Sequence, residues 1–153
     1  MKIFIGADHR GFELKNKIKD LLFKKGCDVE DVGTFRLEPP CDYPTIAYDL
    51  ARRVAKKKDS RGILVCGTGI GHTIAANKVP GAYAALCYNK KAALLSREHN
   101  DANILVLGAQ FVSPREMLSI IAVWLKTKFA GGRHLRRVRE IKKIEKGICK
   151  QKS

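Results

Sequence analysis

The feature that most restricts the fold is a fivefold alternation of short β-type runs with longer amphipathic ones. Lys2–Ala7 reads as a strand. From Phe12 to Lys25, apolar residues at 14, 18, 21 and 22 give a helical spacing that Gly26 stops. Cys27–Val32 is a short second strand, and residues 33–43 form a loop with two prolines. Pro44 sits where a helix starts, and Ile46, Ala47, Leu50, Ala51 and Val54 form its apolar stripe. Gly62–Cys66 is a continuous apolar run, as expected of a strand covered on both faces. A glycine-rich turn leads into a helix reaching about Lys78. Ala82–Cys87 reads as a fourth strand, Lys90–Glu98 as a helix and Asn103–Leu107 as a fifth strand. Ser113 caps a helix to about Lys128, with Pro114 in its first turn. A last helix is expected from about Arg133 to Ile148, with Val138, Ile141, Ile144 and Ile148 on its apolar side. This alternation predicts an α/β fold: a single-domain, Rossmann-like three-layer sandwich over residues 1–153. A five-stranded parallel sheet would carry helices on both faces. Ligands of such sheets bind at the carboxyl ends of the strands. That directs attention to residues 6–11, 66–71, 89 onward and 108–111.

Composition narrows the class. The 153 residues are 45% apolar, enough for a core without disulfides or metal. No apolar run approaches a membrane span, and the apolar amino terminus is too short for a signal peptide. A cytoplasmic protein is expected. The net charge is +15, which suggests anionic partners. Nine basic residues fall between Arg133 and Ser153, against Glu140 and Glu145. No Phe, Tyr or Trp follows Phe129, so the stacking surface of a specific nucleic-acid module is absent. The five cysteines, at 27, 41, 66, 87 and 149, form no Cys-x-x-Cys pair. They suggest neither zinc nor a redox dithiol, and most are expected as small buried hydrophobes.

Four stretches could carry chemistry. Cys66-Gly67-Thr68-Gly69-Ile70-Gly71 follows a buried strand and opens a helix. Its amides and the helix N-terminus would stabilise negative charge, and its spacing fits neither the Walker nor the dinucleotide fingerprint. A helix N-terminus would lower the Cys66 pKa, making a thiolate available as base or nucleophile. The alternatives are a tight turn, a core cysteine and a capping Thr68. Asp8-His9-Arg10-Gly11 ends the first strand; Asp8 could hold sugar hydroxyls or simply cap the next helix, and His9 could contact phosphate. His99 ends a helix just before the fifth strand, at an edge of the expected site; histidine is a residue type suited to acid–base work, and a helix-end histidine that simply suits the dipole is the alternative. Arg133 and Arg137 are four apart on one helical face and could grip one phosphate; a solvated basic face is the alternative.

Six stretches in order carry a resemblance. They are Gly6-Ala7-Asp8-His9, Asp42-Tyr43-Pro44, the Cys66–Gly71 turn, Ala75-Ala76-Asn77-Lys78, Arg97-Glu98-His99-Asn100-Asp101 and Gly131-Gly132-Arg133-His134. Together they resemble the type B ribose-5-phosphate isomerases, in the family that also holds the galactose-6-phosphate isomerase subunits. The resemblance implies a metal- and cofactor-independent aldose–ketose isomerisation through an enediolate. It implies Cys66 as the base between C2 and C1. Thr68 and the amides of Gly67, Gly69, Ile70 and Gly71 would stabilise the oxyanion, and His99 would open the ring with Asp8 beside the sugar hydroxyls. Tyr43 and Asn100 would line the sugar site, and His9, Arg133, His134 and Arg137 would bind phosphate. It also implies a homodimer or higher assembly with the site shared between subunits. Cys66, with Ala75 and Ala76 in the next helix, resembles the cysteine-base group rather than relatives using a glutamate. Gln110 departs from the arginine frequent in the family, which keeps a six-carbon substrate such as allose 6-phosphate in view, and Arg136 could compensate. His72, also a departure, is expected to face solvent. A sugar-phosphate binder without turnover needs only the arginines, so Cys66, Thr68 and His99 favour the enzyme.

Overall fold

The computed structural model describes residues 1–147. Five strands alternate with helices: β1 Lys2–Ala7, α1 Phe12–Lys24, β2 Asp28–Asp31, α2 Tyr43–Lys56, β3 Arg61–Cys66, α3 Ile70–Ala76, β4 Ala84–Leu86, α4 Lys90–Asn100, β5 Ile104–Gly108, α5 Pro114–Lys126 and α6 Gly132–Glu145. All pairings are parallel, in the order β2-β1-β3-β5-β4. The α/β three-layer architecture expected from the alternation is therefore present. Among the described residues no helix is long and apolar enough to cross a membrane.

Two apolar layers flank the sheet. Ile3, Ile5, Ile63, Val65, Leu105 and Leu107 point toward α1, α4 and α5, where Met117, Ile120 and Trp124 are buried. Phe4, Leu64, Ile104 and Val106 point toward α2 and α3, against Leu50, Ala51, Val54 and Ala76. Strict alternation on β1, β3 and β5 is what a strand buried on both faces requires. Burying such side chains contributes roughly 1.5–3 kcal/mol each before the entropy cost of ordering them.

Side-chain hydrogen bonds set several element ends. Ser113 and Glu116 form a reciprocal capping box at the start of α5. Asn77 donates to the Ala84 carbonyl and accepts from the Ala84 amide, each at 2.9 Å. That pulls the chain out of α3 at Ala76, short of the expected Lys78. Asp101, in the left-handed region at φ 50, closes α4. At the first strand, the Ala7 amide donates to Gly33 O and the Thr34 amide to Ala7 O, extending the β1 ladder past β2. Lys15, buried, clamps this segment by donating to both Asp31 oxygens at 2.8 Å and to the Thr34 carbonyl at 2.6 Å.

One expectation needs correction. His72 does not face solvent; it is 0% exposed. Positions 72 and 76 are one helical turn apart, so His72 shares the buried face of α3 with Ala76 while Ile70 and Ile74 face outward. On α6 only Val138 is buried, and Ile141 and Ile144 are exposed in the single chain. Ile148 lies outside the described residues. Among the cysteines, Cys66 and Cys87 are buried, Cys27 and Cys41 are half-buried, and Cys149 lies outside the described residues.

His72 carries a consequence for stability. Neither ring nitrogen has a hydrogen-bond partner among the described residues, and its ring meets Tyr43 edge-on at 5.7 Å. Burial pushes its pKa down to about 4, with the Asp8 carboxylate pulling the other way. The unfolded chain therefore takes up this proton first. Stability is full above pH 6.5 and falls as the pH drops toward 4, by about 2–3 kcal/mol at pH 4.5. Urea unfolding at pH 7 and pH 4.5 should show that loss in the parent protein. His72→Met should lack it, and an equal pH loss in His72→Met would contradict the assignment.

Candidate active site

The topology creates one switch point. From β1 the chain moves outward to β2, then returns to add β3 on the other side of β1. The crevice at the carboxyl ends of β1 and β3 is where such sheets bind ligands. The register pairs Ala7 with Val65, so the next residues, Asp8 and Cys66, emerge side by side.

These two residues are joined. The Cys66 Sγ donates to Asp8 Oδ2 at 3.0 Å, and Asp8 Oδ1 accepts from the Gly11 amide at 3.0 Å. Asp8 thus braces the turn that leads into α1 and holds the thiol at once, and both are buried. Burial and the Asp8 hydrogen bond push the Cys66 pKa up, while the Gly69 and Gly67 amides pull it down. This corrects the expected lowering. The helix after the turn has only seven residues, and burial and the carboxylate outweigh its terminus.

Glycines shape the turn beside Cys66. Gly69 adopts φ 83, where a side chain would be strained, and a Cβ at Gly71 would come within 2.5 Å of the Tyr43 ring. The Thr68 hydroxyl accepts from the Ile70 amide at 3.3 Å, and the Thr68 carbonyl accepts from the Tyr88 hydroxyl at 3.1 Å. Asp8, His9, Arg10, Cys41, Asp42, Tyr43, Cys66, Gly67, Thr68 and Gly71 line one cavity of about 440 Å³. Seven of these are sequence-predicted site residues; Gly69 and Ile70 lie in the same turn. Arg10, Cys41 and Asp42 carried no sequence-based assignment, although Arg10 stands next to His9 at a strand end, where a ligand is expected.

The other predicted residues lie elsewhere in the chain. His99 and Asn100 end α4, and Arg133, His134 and Arg137 lie in the first half of α6. The rings of His99 and His134 stack at 4.0 Å and 10°. Desolvation, His99, Arg133 and Arg137 together hold the His134 pKa below its ordinary value, as expected among neighbouring cationic side chains. The expectation that His99 falls at the edge of the carboxyl-end site does not hold within one chain. A helix that returns to start a parallel strand ends at that strand's amino end. The two clusters are therefore separated by the length of a five-residue strand, about 17 Å.

A second cavity, about 450 Å³, opens at those amino ends and includes Arg61, Asp101, Lys142 and Glu145. Glu145 there already accepts from the Gly81 amide and the Tyr83 hydroxyl. That cavity brings no thiol or imidazole, so the chemistry belongs to the first. Within it, Asp8→Asn removes the carboxylate that raises the Cys66 pKa. Alkylation of Cys66 by iodoacetamide, followed by mass spectrometry across pH, should shift to lower pH in that variant. An unchanged profile would contradict the coupling.

Comparison with known proteins bears on the whole chain. A model of the ribose/galactose isomerase family matches residues 3–141. Ribose-5-phosphate isomerase B of Escherichia coli is 44% identical over 144 residues, covering 94% of this chain and 96% of that protein. The structure of ribose-5-phosphate isomerase B from Clostridium thermocellum is similar with a TM-score of 0.93 and 51% identity, covering 97% of this chain and 100% of that one. That from Mycoplasma genitalium, with bound ribulose 5-phosphate, has a TM-score of 0.92 and 44% identity, covering 95% and 96%. On the matched residues and the shared fold, the chain belongs to the ribose/galactose isomerase family.

Proposed function

We propose that the protein is a type B ribose-5-phosphate isomerase, interconverting ribose 5-phosphate and ribulose 5-phosphate as a step of pentose phosphate metabolism. The observation that carries this reading is the Cys66–Asp8 pair beside the glycine turn. It stands in a chain 44% identical to a protein whose structure holds ribulose 5-phosphate.

The chemistry follows from the groups present. The sugar ring must open before C2 becomes acidic, and His99 is the acid–base group for that step. Cys66 then removes the C2 proton. Its own proton must leave first, and the Asp8 carboxylate 3.0 Å away accepts it. The electron pair from the C2–H bond moves into an enediolate whose oxyanion faces the amides of Gly67–Gly71 and the Thr68 hydroxyl. Preorganised donors of this kind contribute roughly 3–4 kcal/mol each at comparable oxyanions. A proton passes from O2 to O1 and the sulfur returns the carbon-bound proton to C1, completing the ketose; Asp8 then gives its proton back, so the sulfur ends as the thiol it began as. Tyr43 and Asn100 line the sugar, and His9, Arg133, His134 and Arg137 hold the phosphate.

These roles require a homodimer with shared sites, because His99 and Cys66 of one chain stand at opposite ends of its sheet. The uncovered Ile141 and Ile144 on α6, with Ile70 and Ile74 on α3, supply apolar surface for such a contact. A sugar-phosphate substrate and free thiols suit the cytoplasm.

The test is turnover of ribose 5-phosphate by the parent protein, with allose 6-phosphate in parallel. Cys66→Ser and His99→Asn should each lose about 10²-fold or more. Mixing the two after reversible dissociation should restore about a quarter of the parent rate, since half of the dimers carry one intact site. No recovery on mixing would contradict the shared site, and conversion of allose 6-phosphate alone would move the substrate to six carbons. Arg137→Ala should raise KM for ribose 5-phosphate; an unchanged KM would remove Arg137 from the phosphate site.

A further inference from the structure

The geometry points to Arg10 as a phosphate ligand that this chain contributes to its own cavity, with Gln110 beside it as a neutral second donor. The inference rests on the sugar-phosphate reading above and adds a specificity-determining residue to it.

The cavity's charge makes the case. Its wall carries two carboxylates, Asp8 and Asp42, and among the described residues Arg10 is the only lysine or arginine lining it. Of the groups that this chain itself places on the wall, Arg10 is the full cation that offsets those two carboxylates toward an entering phosphate dianion. Arg10 is unengaged: it is exposed, and none of the ion pairs among the described residues includes it. Its guanidinium can turn to an incoming anion without breaking a contact, and a planar fork suits phosphate.

Its position is fixed relative to the reacting sulfur. The Cβ direction at Gly67, one residue past Cys66, points to a spot 3.2 Å from Arg10 Cδ and 3.6 Å from Arg10 Nη1. Gln110 Nε2 lies 3.3 Å from the same spot. Two backbone bonds hold position 110 there: the Gln110 amide donates to Gly67 O at 2.9 Å, and the Ala109 amide to Cys66 O at 2.8 Å. Arg10 and residue 110 therefore converge over Gly67 from two different strand ends. A side chain at Gly67 would intrude on both. At this convergence position 10 supplies a cation, while position 110 is uncharged.

The experiment uses the full-length protein and three variants: Arg10→Ala, Arg10→Lys and Arg10→Ala with Gln110→Arg. Inorganic phosphate is titrated calorimetrically into each, and KM and kcat for ribose 5-phosphate are measured in the same preparations. Arg10→Ala should weaken phosphate binding and raise KM by about tenfold or more, with a smaller fall in kcat. Arg10→Lys should recover part of the affinity, and the double variant should recover most of it by restoring the cation from the end of β5. Unchanged phosphate affinity and KM in Arg10→Ala overturn the inference, as does a double variant no better than Arg10→Ala. Turnover by the parent with an Arg10-independent KM would sink this inference and leave the isomerase reading intact. Arg10-dependent phosphate binding by a parent protein that turns nothing over would sink the isomerase reading and leave Arg10 as a phosphate ligand.

Discussion

The parallel pairing of β1 with β3 decides where everything else at this site stands. Because Ala7 lies opposite Val65, Asp8 and Cys66 leave the sheet together and within hydrogen-bonding distance. A slip of one residue would turn the side chains of one strand to the opposite face, and the pair would be lost. The same register sets Cys66 opposite Gly108, and from there the Ala109 and Gln110 amides latch onto the turn. Three strand ends thus converge on one thiol.

That thiol is held in tension. Its burial and the Asp8 carboxylate favour the protonated form, while the Gly69 and Gly67 amides favour the thiolate. A free sulfur anion here would be open to oxidation and alkylation at rest; keeping the proton shared with Asp8 avoids both. On the proposed isomerase reading, the carboxylate is the place the proton goes when the sulfur acts. Asp8 is fixed by the Gly11 amide, so the arrangement costs little reorganisation at the moment of reaction.

The sheet and the order of elements along the chain were legible because the near-continuous apolar runs of β1, β3 and β5 alternate with helical stripes. The Cys66 turn and Asp8 were legible for a related reason, since strand ends at the carboxyl side are where ligands bind. What sequence could not give was phase and distance. His72 looked like a polar residue at a helix start, and only the phase of α3 shows that it shares the buried side with Ala76. His99 reads as close to the site along the chain, but helix direction sends it to the far end of the sheet. Arg10 was visible but idle, because its value depends on Gln110 lying beside it from a distant strand end. The stripe on α6 was correctly periodic, yet only Val138 finds cover within one chain, a distinction that patterning alone does not contain.

The central claim is that Cys66 moves the C2 proton within a site built on the Asp8 pair. The most direct measurement is proton NMR of ribose 5-phosphate in D2O with the parent protein and with Cys66→Ser at equal concentration. The account predicts ribulose 5-phosphate with deuterium at the transferred carbon from the parent protein, and essentially none from Cys66→Ser. Ribulose 5-phosphate formed at a similar rate by Cys66→Ser would contradict it.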